Sequence, residues 1–205
     1  MNLINQNQFK KTLKGFSKIE DARDQLWDRA KVLIENGFEV EAYVLILATW
    51  NFARFRYFMK NFDLRKFQDV IKIVNPIFKK LEKKKFENID FTDKSLISDI
   101  KFIYSRLKRV AEQTGASKIM ALKNSKLFIM WDTEIRKIYK IDNKGEADDY
   151  IQFLIKMQEY FKDIKWIGKT PPFAKAIDEY NYVIADRNRR IMKNKLTSSS
   201  INSTV

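Results

Sequence analysis

The stretch TDKSLISDIKFIYSRLKRVAEQTG, residues 92–115, reads as one helix. Leu96, Ile97, Ile100, Ile103, Tyr104, Leu107, Val110 and Ala111 recur every three or four residues, the period of one helical face. Thr92 and Asp93 supply the polar start, whose side-chain oxygens can accept hydrogen bonds from the first backbone N–H groups. Lys101, Lys108 and Arg109 fall on the opposite face, and Gly115 is expected to break the helix.

The same period extends in both directions. Ser17 and Glu20 have capping-box spacing, and Ala22, Leu26, Ala30, Leu33 and Ile34 follow at helical intervals up to Gly37. EVEAYVLILATWNFARFRYFMKN, residues 39–61, is apolar almost all round in its first half, the mark of a central, buried helix. Residues 63–85 form a further helical stretch, with a kink expected at Pro76 and a basic run at its end. NKGEADDYIQFLIKMQEYFKDI, residues 143–164, opens on acidic residues, which suit a helix N-terminus. Thr170, Pro171 and Pro172 read as a cap and first turn, after which Phe173, Ile177, Tyr180 and Ile184 face inward.

These segments predict an all-α fold, a compact bundle of about seven to nine helices. The expected organisation is a single helical domain over residues 1–192 and a disordered tail over 193–205, the latter from its serine-rich composition. Only 5 glycines and 3 prolines occur in 205 residues, too few for the turns of a β-sandwich or barrel.

Composition also bounds the chemistry. There is no cysteine and no histidine. That removes thiol catalysis, imidazole bases and nearly every zinc site, so no metal and no cofactor are expected. No glycine-rich phosphate loop occurs. The longest uncharged run, Ala42 to Ala53, falls short of the roughly 20 residues a membrane span needs. No secretory signal pattern opens the chain, and an intracellular protein, in cytoplasm or nucleoid, is expected. With 40 Lys+Arg against 26 Asp+Glu, the formal net charge is +14. Such a balance suits a nucleic-acid partner, because cations on the protein displace the counterions of the phosphate backbone.

Chemistry points to TGASKIMALKNSKLFIMWDTEIRK, residues 114–137. Lys118 opens one apolar segment and Asp132 closes the next. Asp132 suits an N-cap for the helix that follows, and Lys118 suits the surface of a short helix. The alternative is an amine and a carboxylate meant to meet. Among so many apolar neighbours an amine loses solvation, which favours its neutral, nucleophilic form.

This stretch resembles the helix-hairpin-helix base-excision DNA glycosylases. It is closer still to uncharacterised prokaryotic proteins with an SK, apolar segment, D, I/V-R pattern. The elements are Ser117-Lys118, Leu127 to Trp131, Asp132 and Ile135-Arg136, within residues 114–139. The usual L-P-G-[IV]-G hairpin is replaced by Thr114-Gly115-Ala116, and the lysine-to-aspartate interval is a few residues shorter. The resemblance implies a glycosylase/AP lyase in DNA repair, with Lys118 attacking C1′ of a flipped nucleotide and Asp132 stabilising the sugar cation. It also implies phosphate contacts around Gly115, Ser117 and Arg136. The competing expectation is a non-enzymatic helical module, binding nucleic acid or a protein, with a decayed site.

WNFARFRYFMK, residues 50–60, interleaves aromatics with Arg54, Arg56 and Lys60. Such a segment can stack on bases while its cations hold phosphate, or be a core helix whose arginines reach outward. Trp50 and Trp131 are the expected pocket residues. The run from Asp178 to Val183 is read as structural, with Tyr180 facing the core and Asp178 turned away from it.

Overall fold

The computed structural model describes residues 3–16, 22–50, 52–141, 144–166 and 169–201, and every regular element in them is helical. The order is α1 (Gln6–Phe16), α2 (Ala22–Glu35), α3 (Glu39–Trp50), α4 (Phe52–Lys60), α5 (Leu64–Leu81), a 3-10 turn (Phe86–Asn88), α6 (Lys94–Lys123), α7 (Thr133–Ile138), α8 (Ala147–Tyr160) and α9 (Phe173–Ile201). The bundle is therefore all-α, with nine α-helices among the described residues. The proposed cap pair Ser17 and Glu20 lies outside the described residues.

Local chemistry explains several boundaries. Asn36, Gly37 and Phe38 close α2 with paired turn bonds: the Phe38 amide donates to Leu33 O at 2.9 Å and the Gly37 amide to Ile34 O at 3.0 Å. Gly37 has φ +85 there, a left-handed conformation that costs glycine little. Asp93 caps α6 by accepting the Ser95 and Leu96 amides. Asp63 caps α5 by accepting the Lys66 amide, and α5 continues through Pro76 to Leu81.

Two boundaries differ from expectation. The break in α6 falls at Glu112, which has φ 58 and ψ −179, so that Lys94–Lys123 is two helices meeting end to end. Gly115 does not break the helix. It is buried in the second piece, where a Cβ would lie 2.9 Å from Leu47 Cδ2 and 3.0 Å from Ala111 Cβ. Its small size lets α3 approach, which is a packing reason for glycine rather than a conformational one. α9 begins at Phe173, directly after Pro172, and runs through Ile201. No glycine or proline interrupts that span.

α2 packs on α3, α1 on α9, α5 on α6, and α6 on both α3 and α8. One cluster of buried apolar side chains reaches from Ile4 to Ala185. Near its centre Tyr104 stacks on Tyr150 with ring centroids 4.8 Å apart, and Trp131 stands edge-on to both. Among the described residues no helix is long and apolar enough to cross a membrane.

The segment from Phe128 to Asp132 has no regular secondary structure and is buried through Trp131. A buried segment outside helix and sheet must find other partners for its backbone, and side chains supply them. Ile129 O accepts the Tyr150 hydroxyl at 2.9 Å. The Met130 amide donates to Asp178 Oδ1 at 2.5 Å. The Trp131 amide donates to Ser117 Oγ at 3.2 Å. Three helices thus hold this segment, and it carries Asp132 to the start of α7.

Candidate active-site cleft

A cleft of about 230 Å³ opens where the second piece of α6, the start of α7 and α9 meet the end of α3. Lys118 and Asp132 both line it, together with Trp50, Trp131 and Tyr182. The structure therefore brings together the amine and the carboxylate singled out in the sequence.

Both groups also serve helix ends. Lys118 is 7% exposed, and its Nζ donates to the backbone carbonyl of Trp50, the last residue of α3. A cation there satisfies an orphan carbonyl and opposes the negative end of the helix dipole. Asp132 is the N-cap of α7 and accepts the Ile135 amide at 2.8 Å. Its other oxygen lies 3.7 Å from Arg189 Nη1.

α9 supplies a whole wall of the cleft. Lys175, Asp178, Glu179, Tyr182, Asp186 and Arg189 line it, at the three-and-four spacing of one helical face. The expectation that Asp178 turns away from the interior is wrong. It is 4% exposed, its Oδ1 takes the Met130 amide, and its buried Oδ2 has no hydrogen-bond partner among the described residues. Burial pushes its carboxyl well above the ordinary carboxylate range. Lys175 and the Met130 amide oppose that rise, and Glu179 adds to it. Lys175 is 7% exposed, with Nζ 5.0 Å from the ring centroid of Trp27, 5.1 Å from that of Trp50 and 5.6 Å from that of Phe16. A cation enclosed by three ring faces is stabilised by their quadrupoles in place of water.

The remaining expected residues divide. Trp50 and Trp131 line the cleft, although Trp131 is 1% exposed and mainly a core residue. Gly115, Ser117 and Arg136 offer no exposed group to a phosphate. Ser117 is fully buried, with its oxygen engaged by Trp131. Arg136 is 4% exposed; it donates to Gln113 Oε1 at 3.1 Å and lies over the Trp131 ring at 5.2 Å. Ser117 and Arg136 instead tie α6 to the segments on either side of Asp132. Arg54, Arg56 and Lys60 lie on α4, are exposed, and are not among the residues lining this cleft. Arg54 pairs with Glu112 at 3.2 Å, and Arg56 lies over the Tyr57 ring at 5.3 Å.

The polar residues of α9 were missed because its apolar stripe alone set the expected inward face. A signal was present. From Phe173 to Asp186 most of the helix is apolar or aromatic, and Lys175, Asp178, Glu179 and Asp186 fall in one row at three-and-four spacing. Such a charged row on a mostly apolar helix faces either solvent or a cavity.

No protein-family model matches the chain. No curated protein matches it, and no solved structure does.

Proposed function

We propose that this protein binds DNA and that the Lys118–Asp132 cleft is a base-excision glycosylase/lyase-like site. The observation that carries the reading is the shared cleft: an amine and a carboxylate from separate segments line one aromatic-walled space. Chemistry on a base requires the nucleotide to leave the stack and enter such a pocket, where ring faces replace lost stacking. Lys118, once released from the Trp50 carbonyl and neutral, attacks C1′. Asp132 stabilises the positive charge that develops on the sugar. The formal net charge of +14 supplies the sequence-independent attraction to phosphate.

A second reading has its own support. Lys118 and Asp132 each satisfy a helix end, so both side chains have reasons to exist without catalysis. On that reading the protein is a non-enzymatic helical module that binds nucleic acid through its basic surface.

Borohydride trapping on duplex DNA with one abasic site separates the two. Lys118 Nζ adds to the open-sugar aldehyde at C1′, water leaves, and hydride reduces the imine to a stable amine. The expected result is a covalent protein–DNA species with the wild type and none with Lys118→Ala. Absence of an adduct with the wild type would leave the non-enzymatic module.

A further inference from the structure

We infer that Asp178 is the proton donor to the departing base in this cleft. The inference rests on the glycosylase-like reading above and adds a residue that the Lys118–Asp132 pair does not supply. A base expelled from C1′ takes the bonding electrons with it. It leaves far more readily if a positioned acid protonates it as the bond breaks. Asp132, the N-cap carboxylate near Arg189, is already assigned to the sugar cation.

Asp178 has the geometry for this task. It is on the cleft wall and lies on α9, a rigid element rather than a loop. The Met130 amide fixes one carboxyl oxygen. The other is buried and unpartnered among the described residues. An ionised oxygen left that way is costly, whereas a protonated one needs only an acceptor, which a bound base supplies once the carboxyl turns from its buried position toward the cleft. The charged and titratable groups around it are Lys175 and Glu179 on α9, with the Tyr150 hydroxyl coupled to it from α8. Lys118, Asp132, Asp186 and Arg189 stand farther round the same cleft.

The step balances as follows. The Nζ lone pair of neutral Lys118 forms the bond to C1′, and the C1′–N pair passes to the base. The Asp178 proton moves to a ring nitrogen or carbonyl oxygen of the base, which leaves neutral. A proton from Nζ is lost to water, and Asp178, now a carboxylate, recovers one from water after release.

The test compares two reactions of the same protein. Duplexes with an abasic site are trapped with borohydride, and duplexes with uracil, hypoxanthine or 8-oxoguanine are assayed for base release. Asp178→Asn is isosteric and keeps the oxygen that accepts the Met130 amide. It should trap abasic DNA as the wild type does, since no base remains to protonate, while base release falls about 100-fold. Wild-type base release should also decline as pH rises through the Asp178 pKa, and a structural role would not produce that profile. Equal base release by wild type and Asp178→Asn overturns the inference and leaves the cleft reading standing. So does a wild type that traps abasic DNA but releases none of the three bases. Equal loss of both reactions in a folded Asp178→Asn protein, checked by circular dichroism, also overturns it. No trapping by the wild type overturns the cleft reading and this inference together.

Discussion

Ser117 and Trp131 are bound to each other through one side chain and one backbone unit. Ser117 Oγ accepts the Trp131 amide at 3.2 Å and lies 3.3 Å from the Trp131 carbonyl, sharing its proton with Thr114 O at 3.0 Å. The next residues along the chain are Lys118 and Asp132. The spacing of the amine and the carboxylate is therefore set by this buried contact immediately behind them.

Removing that hydroxyl should be felt in stability. Ser117→Ala leaves the buried Trp131 amide without its acceptor, a loss of about 1–3 kcal/mol. Urea unfolding followed by tryptophan fluorescence would measure it, as a lower midpoint at unchanged slope.

Asp132 can be split into its two roles. Asparagine caps helices about as well as aspartate, so Asp132→Asn should change stability by less than about 0.5 kcal/mol, whereas Asp132→Ala should cost about 1 kcal/mol. On the proposed glycosylase reading, Asp132→Asn should nonetheless depress base release strongly, because the charge opposing the sugar cation is gone. Normal activity in that variant would reduce Asp132 to a cap.

Glu112 holds backbone angles that are nearly exclusive to glycine, at an expected cost of about 1–3 kcal/mol. Its ion pair with Arg54 is exposed and contributes little. Glu112→Gly should therefore stabilise the fold by about 1 kcal/mol after the entropic cost of glycine. The melting temperature should rise by about 2–4 °C. A fall would mean that the side chain, and not the backbone, governs the break.

Periodicity made α6, α8 and the buried α3 legible, because each presents an apolar stripe or an unbroken apolar surface. Lys118 and Asp132 were legible as a pair from the apolar segments around them. The break at Glu112 was not, since glutamate carries no local signal for a left-handed φ. Tertiary packing of Gly115 against Leu47 moved the break away from the residue that suits it best. Ser117 and Arg136 looked like surface residues because polarity was read without their partners, Trp131 and Gln113. Asp178 was hidden for a related reason: the stripe through Ile177 and Tyr180 marks one inward face, and α9 has more than one.

The pH dependence of stability follows from Asp178. Its folded-state pKa is raised above the ordinary 3.8, so the folded protein binds more protons than the unfolded chain between those values. The contribution is fully present below about pH 3.8 and is lost as pH rises through the folded pKa. In Asp178→Asn this loss is absent. Denaturant midpoints of wild type and variant, followed upward from about pH 3.8, should diverge in the variant's favour as pH increases; parallel curves would place the carboxyl in a solvated setting.

If the net charge of +14 serves DNA binding as proposed, affinity should fall steeply and log-linearly with salt as counterions are released. If the exposed cations of α4 contribute, Arg54→Ala with Arg56→Ala should weaken binding more than Lys83→Ala with Lys84→Ala. The opposite ranking in a fluorescence-anisotropy titration would shift the contact surface to the lysine run.

One wall of the cleft is a single row on α9, from Lys175 to Arg189, about 21 Å long at 1.5 Å per residue. Its inner end is buried and its outer end, at Arg189, opens to solvent. Function here is written in the phase of a helix. An extra residue in the loop before Phe173 leaves that phase intact, whereas one inserted between Lys175 and Asp178 turns everything beyond it by about 100° and points Tyr182 and Arg189 elsewhere. The wall can therefore change side chain by side chain, but its length and register can change only together.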